Sequence, residues 1–259
     1  MIVDLHNHTT LCNHAKGTMD EYINKAIETG IKYFGFSDHA PMNFDPKYRM
    51  DFEQMNEYEK AVLNAKETYK NKINILLGYE VDYLKNHMDD RVLNAKVDYL
   101  IGSVHFIDEW GFDNPEFIGH YENQDIDIIW QKYFNAIEDM ANSKLFDIVG
   151  HLDLIKVFKF MPNKNIIEIA KNALIAIKKA DMSLELNVAG FRKPVKEAYP
   201  SLELLQEAFK LEIPITFASD AHSPEQVGLF NDEIIKMAKS AGYSKCTYYI
   251  NRERKFIEF

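Results

Sequence analysis

Cysteine is almost missing from this chain: two residues in 259, Cys12 and Cys246, are too few for a disulfide framework, so a reducing cytoplasm is the expected setting. Positive charge is also scarce. Lys and Arg number 30 against 40 Asp and Glu, a formal net charge of -10. That deficit argues against a nucleic-acid partner, which would need a basic face to displace counterions. Nowhere do 18 apolar residues run together, and MIVDLHNHT has no basic stretch before a long apolar one, so neither a membrane span nor a signal peptide is expected. No repeat, low-complexity tract or Pro/Gly-rich linker divides the chain, which is read as one domain, 1–259. With 46% hydrophobic residues and 13% aromatics, it has ample material for a core.

Seven apolar runs of strand length recur, at 2–6, 33–39, 74–83, 99–107, 146–154, 183–190 and 213–222. Helical periodicity lies between them. Ile23, Ala26 and Ile27 form one stripe, with Gly30 as the stop, and Ile166, Ile169, Ala170, Ala173 and Ile177 form another. Strands that are apolar throughout and alternate with helices predict an α/β fold with a parallel sheet, either a barrel or a doubly wound sheet. The segment 108–122, DEWGFDNPEFIGHYE, reads as a long loop suited to binding.

Histidine is concentrated where such folds build their sites. His6 and His8 end the first run, His39 ends the second, Glu80 lies in the third, and His105 and His151 belong to the fourth and fifth. Asp220 and His222 close the seventh, and His14 stands in the loop after the first. In a parallel barrel the carboxyl ends of the strands share one mouth, so these nine side chains are expected to converge. His6 and His8, two residues apart, share a strand face and can reach one ion. Glu80, inside ILLGYEVDYL, is a carboxylate in a buried strand and calls for a cation. Asp38, beside His39, is a candidate outer partner for a ligand. His87 and His120 are expected elsewhere, in a helix and in the long loop.

Imidazole and carboxylate without thiolate suit zinc, iron or manganese. Nine donors exceed one ion's needs, so a cluster of two or three is expected. Ions about 3.5–4 Å apart clamp the attacking and leaving oxygens of a phosphoryl displacement and hold a hydroxide nucleophile near neutral pH. The chemistry expected is hydrolysis of a small-molecule phosphate ester, ahead of amide hydrolysis.

The wording LHNHT, SDH, the third-strand Glu and the terminal SDAH resemble the polymerase-and-histidinol-phosphatase (PHP) superfamily across essentially the whole chain. GSVHFIDEWGFDNPE, VGHLDLIKVF and ELNVAGFRKP resemble its monofunctional histidinol-phosphate phosphatase branch. The resemblance implies a distorted (β/α)7 barrel carrying three divalent ions, zinc first, with iron or manganese as alternatives. One ion would take His6, His8, Glu80 and Asp220. A second would share Glu80 with His105 and His151, and a third would take His14, His39 and His222. Implied activity is release of phosphate from L-histidinol phosphate, by in-line attack of a hydroxide held by the metals.

Arg192, in AGFRKP, is expected to clamp phosphate through its guanidinium. The leaving alkoxide needs a proton, with a metal-held water, Asp38 or Asp153 as possible sources. Phe106, Asp108, Trp110, Phe112 and His120 are candidate contacts for the rest of the substrate. Cys12 is expected to be filler. Competing functions are a PHP phosphoesterase for nucleotides, oligonucleotide ends or phosphotyrosine, and a metal-stabilised module without catalysis.

Overall fold

In the computed structural model, which describes residues 1–122 and 124–259, all seven runs form strands of one parallel sheet. They are β1 (Val3–Asp4), β2 (Tyr33–Phe36), β3 (Asn74–Asp82), β4 (Tyr99–Ser103), β5 (Ile148–Val149), β6 (Ser183–Asn187) and β7 (Ile215–Ala218). Each pairs with the next in sequence, through registers such as Phe36↔Leu77, Glu80↔Ile101 and Asn187↔Ala218. The last strand returns to the first: Leu5 N donates to Phe217 O at 3.0 Å and Asp220 N to His6 O at 2.7 Å. The sheet is therefore a nearly closed barrel.

Helices cover the outside, and their stripes explain why. Met19–Glu28 (α1) starts at a capping box of Thr18 and Glu21, and Gly30, at φ +80°, ends it as expected. Met55–Tyr69 (α2) packs Tyr58, Val62 and Ala65 inward. Ile126–Ser143 (α3) and Ile166–Lys179 (α4) follow, the latter burying Ile169, Ala170, Ala173 and Ile177, with Ile166 half-buried at its start. Leu202–Lys210 (α5) and Asn231–Ala241 (α6) complete the ring.

Inside the barrel, Tyr99 fills the space that Gly35 and Gly78 leave open, where a Cβ would collide with its ring. Its hydroxyl donates to Leu5 O at 2.6 Å, tying β4 to β1 through the core.

Two elements differ from the sequence expectation. The run 99–107 is not one strand: β4 stops at Ser103, and Phe106–Ile107 pairs with Trp110–Gly111 in a separate hairpin, which turns His105 toward the barrel mouth. The C-terminal segment, not assigned to any element from sequence, forms the antiparallel pair β8 (Lys245–Ile250) and β9 (Glu253–Glu258). Its turn residues Asn251 and Arg252 both have positive φ, the geometry of a tight two-residue hairpin. This hairpin caps the amino ends of the strands. Thr247 Oγ1 bonds Ile215 O at 3.1 Å, and Arg252 N bonds Asp98 O at 2.8 Å. The carboxyl ends at the other mouth stay open.

Candidate metal centre

At that open mouth the nine expected side chains meet around Glu80. Its Oε2 lies 2.9 Å from His39 Nδ1, 3.3 Å from His6 Nε2 and 3.8 Å from His8 Nε2. Its Oε1 lies 3.0 Å from His151 Nε2 and 3.6 Å from His105 Nε2. Asp220 Oδ1 stands 3.3 Å from His8 Nε2. The rings of His14 and His222 complete the group, 4.6 Å apart, with His222 stacked on His8 at 4.0 Å.

Donor atoms fall into sets within 4.8 Å of one another: His6, His8 and Glu80; Glu80, His105 and His151; His14, His39 and His222. A fourth set joins Cys12 to His8 and His222. The Cys12 thiol is buried and bonds Thr9 O at 3.1 Å, so this residue sits against the cluster rather than apart from it.

Several donors are buried without a hydrogen-bond partner among the described residues: His6 Nε2, His8 Nε2, His39 Nδ1 and Glu80 Oε2. Native interiors rarely leave such atoms orphaned, and a cation among them removes the penalty. Carboxylates stand behind the rings. Glu185 Oε1 is 2.6 Å from His6 Nδ1, Asp38 Oδ1 is 3.3 Å from His8 Nδ1, and Asp82 Oδ1 is 2.6 Å from His105 Nδ1. Each leaves Nε2 directed inward, the arrangement that orients imidazole ligands at metal sites. The residues fit a metal centre.

The electrostatics agree. Burial works against the Glu80 carboxylate, yet the imidazoles of His6, His39 and His105 hold it well below the usual range. Burial lowers His39 to about 4, which keeps that ring neutral and its lone pair available. His151 and Asp220 hold their positions with positive φ, +22° and +50°, uncommon for residues with side chains and typical of functional sites.

A cavity of about 850 Å³ opens over the cluster. Arg192 lines it from the short helix Ala189–Arg192 after β6; Nη2 donates to Ser219 O at 2.9 Å and Asp220 O at 2.8 Å. Phe106 also lines it.

The other candidates lie elsewhere. Asp38 is buried behind His8, where it accepts from Thr9 N at 3.0 Å and from the Thr9 hydroxyl. Asp153 is buried against Lys156 Nζ at 2.9 Å and accepts from Ser201 N at 2.9 Å. Neither lines the cavity; both Asp38 oxygens are held by neighbours, whereas only Oδ2 of Asp153 is, its Oδ1 being buried without a hydrogen-bond partner among the described residues. Asp108, at the hairpin tip, points into solvent toward Lys132 at 3.0 Å. Trp110 packs on Tyr121, and His120, in the helical turn Pro115–Tyr121, packs on Trp110 at the surface; none of the three lines the cavity. Phe112 is fully buried in the core. His87 occupies a turn, not a helix.

Sequence reasoning missed four groups that matter here. Glu185 and Asp82 are buried strand carboxylates of the same kind as Glu80, and the apolar surroundings of SLELN and YEVDY carried that signal. Arg49, 4% exposed, reaches Asp82 Oδ2 at 2.7 Å and so extends a chain from Asp82 to His105. Asp113 lines the cavity with no ion pair or hydrogen bond to its carboxylate among the described residues, and burial pushes its pKa up.

A parallel barrel that gathers seven imidazoles and two carboxylates at the carboxyl ends of its strands defines a metal-site barrel hydrolase. The chain belongs to the PHP domain family, whose model matches residues 4–189. A probable histidinol-phosphatase from Deinococcus radiodurans is 37% identical, over 98% of this chain and 98% of its own length. The histidinol-phosphatase of Bacillus subtilis is 29% identical, over 87% of this chain and 95% of its own. In fold, the chain is similar to the crystal structure of histidinol phosphate phosphatase from Lactococcus lactis, complexed with zinc, L-histidinol and phosphate. The TM-score is 0.79 at 21% identity, covering 98% of each chain.

Proposed function

We propose that this protein is a metal-dependent phosphomonoesterase that hydrolyses L-histidinol phosphate to L-histidinol and inorganic phosphate. The observation that carries the reading is the gathering of eight donor side chains around Glu80, with His6, His8, Glu80 and His151 buried, at the floor of an open cavity that Arg192 lines. The similarity to histidinol-phosphatases over nearly the full length of the chain supports the substrate.

His6, His8, Glu80 and Asp220 would hold one divalent ion, Glu80, His105 and His151 a second, and His14, His39 and His222 a third. Zinc is the first choice, with iron or manganese as alternatives. Bound ions of this kind supply Lewis acidity to phosphoryl oxygens and lower the pKa of water. Glu80 serves two of the sets and fixes their separation. Glu185, Asp38 and Asp82 orient the rings. Arg192 offers Nη1 to a phosphoryl oxygen while two carbonyls hold its other nitrogen. Asp113 and Phe106 line the cavity, where the first would meet the cationic end of the substrate and the second would supply an apolar wall. The protein acts on a small molecule, in the cytoplasm. No helix among the described residues is long and apolar enough to cross a membrane.

The test is a phosphate-ester panel with metal-loaded protein. A kcat/KM for histidinol phosphate at least about 100-fold above those for nucleotides, phosphotyrosine and p-nitrophenyl phosphate is expected, since a site built for polar substrate groups rejects analogues lacking them. Weak, uniform rates would overturn the substrate assignment.

A further inference from the structure

Tyr199 is 1% exposed and its ring lines the cavity beside the cluster, T-shaped to His151 at 6.4 Å between centroids. Its hydroxyl has no hydrogen-bond partner among the described residues. Other buried tyrosines have theirs: Tyr58 donates to Gly78 O at 2.9 Å, Tyr99 to Leu5 O at 2.6 Å and Tyr243 to Ile213 O at 2.9 Å. Tyr22 is also unpartnered, but it lies away from the cavity. Buried hydroxyls are ordinarily paired, so an orphan on a ligand cavity marks a place kept for a ligand atom.

The position is rigid. Asn187 N donates to Tyr199 O at 2.7 Å and Tyr199 N to Asn187 O at 2.9 Å, which clips the residue to the carboxyl end of β6. The Asn187 side chain then donates to Asp220 Oδ2 at 3.1 Å, linking this clip to the metal cluster. Gly190 lets the ring lie close, since a Cβ there would collide with Glu197 O and stand 3.1 Å from Tyr199 Cε2. Arg192, whose Nη1 is a second buried orphan donor, lines the same cavity.

We infer that Tyr199 is the second arm of a phosphate clamp, its hydroxyl donating a hydrogen bond to a phosphoryl oxygen of the ester while Arg192 Nη1 donates to the same group. Two donors of different shape, a guanidinium edge and a phenol, suit an acceptor with several oxygens. Burial pushes the phenol's pKa up, so it remains a donor through the working pH range. Preorganised donors aimed at oxygens that gain charge in the transition state act mainly on rate. No proton leaves Tyr199; the bond strengthens as the phosphoryl group is transferred.

This inference rests on the phosphatase reading, and Tyr199→Phe tests it while keeping the ring. Both histidinol phosphate and p-nitrophenyl phosphate should lose about 10- to 100-fold in kcat/KM, the effect of deleting one hydrogen bond to a charged group. Inhibition by inorganic phosphate should weaken as well, while metal content and melting temperature stay at wild-type values. Rates and phosphate inhibition within twofold of wild type would overturn the clamp, as would a loss that tracks loss of metal. A wild-type enzyme with no preference for histidinol phosphate overturns the substrate assignment instead. The clamp is then decided on p-nitrophenyl phosphate and on phosphate inhibition.

Discussion

Glu185 Oε1 stands 2.6 Å from His6 Nδ1, while the other nitrogen of that ring faces Glu80 at 3.3 Å. Glu185 thereby fixes the tautomer and direction of a cluster imidazole without touching the cavity. Its second oxygen accepts from His151 N at 2.8 Å and from Asn187 Nδ2 at 2.9 Å, so the same carboxylate braces two further parts of the site. Glu185→Gln keeps the shape and removes the charge. Metal affinity should fall about 10- to 100-fold, the usual effect of losing such a partner, measured by competition with a chromophoric chelator. Glu80→Gln should cost more than that in both affinity and kcat, since Glu80 serves two donor sets. Equal, small effects from the two variants would contradict the geometry.

Removal of metal should abolish activity and lower the melting temperature. A ligand that binds only the folded chain stabilises by about 2.7 kcal/mol at 100 times its Kd. Readdition of zinc, iron or manganese to chelated protein should restore both, and elemental analysis should return about three ions per chain, as the proposed assignment of ligands implies. Protons compete for the same nitrogens. Imidazole binds metal only when neutral, so affinity rises with pH: against the effect of burial, Asp82 and Glu80 push His105 up to about 10, so metal must displace a proton there, whereas His39, lowered to about 4, has none to lose. Full retention of ions after dialysis at pH 5 would argue against histidine ligation.

Much of this was legible in the chain. Alternation of apolar runs with helical stripes located every barrel strand, and the positions of nine donors relative to those runs located the cluster. Strand ends were read too generously: β1 and β5 are two residues each, and His6, His8 and His151 lie beyond them. For His6 and His8 this matters little because Asn7 still bridges Ala221; His151 instead reaches the cluster through a bend at φ +22°. The cavity wall was far less legible. Asp108, Trp110 and His120 share a segment with true lining residues such as Asp113. The hairpin Phe106–Ile107 with Trp110–Gly111 and the helical turn Pro115–Tyr121 set which of them line the cavity. Arg49 reaches Asp82 from 33 positions away, through a loop whose path no periodicity encodes.

Asp153 and Lys156, both 1% exposed, form an ion pair at 2.9 Å with Lys156 also bonded to Glu197 at 2.7 Å. Both lie off the cavity, where a structural role is expected. Lys156→Met strands a buried carboxylate and should destabilise the fold by about 3–5 kcal/mol, read as a drop in the chemical-denaturation midpoint. Asp153→Asn should likewise weaken the fold while kcat of the folded fraction stays within about threefold, because residues off the cavity carry no transition-state contact. A 100-fold fall in kcat at unchanged stability would instead restore Asp153 as the proton source.

On the proposed substrate, Asp113 is the cavity carboxylate expected to meet the amino group. It lines the cavity without an ion pair among the described residues, and burial makes its charge costly until a cation arrives. Histidinol phosphate brings such a cation in its amino group; p-nitrophenyl phosphate does not. Asp113→Asn removes the charge and keeps the shape. For histidinol phosphate KM should rise about 10- to 100-fold, the value of a charge-assisted hydrogen bond. Kinetics with p-nitrophenyl phosphate should stay within about twofold, because that ester makes no contact there. Parallel losses on both esters would mean that Asp113 supports the metal cluster through neighbouring His105, and the specificity role would pass to another wall of the cavity.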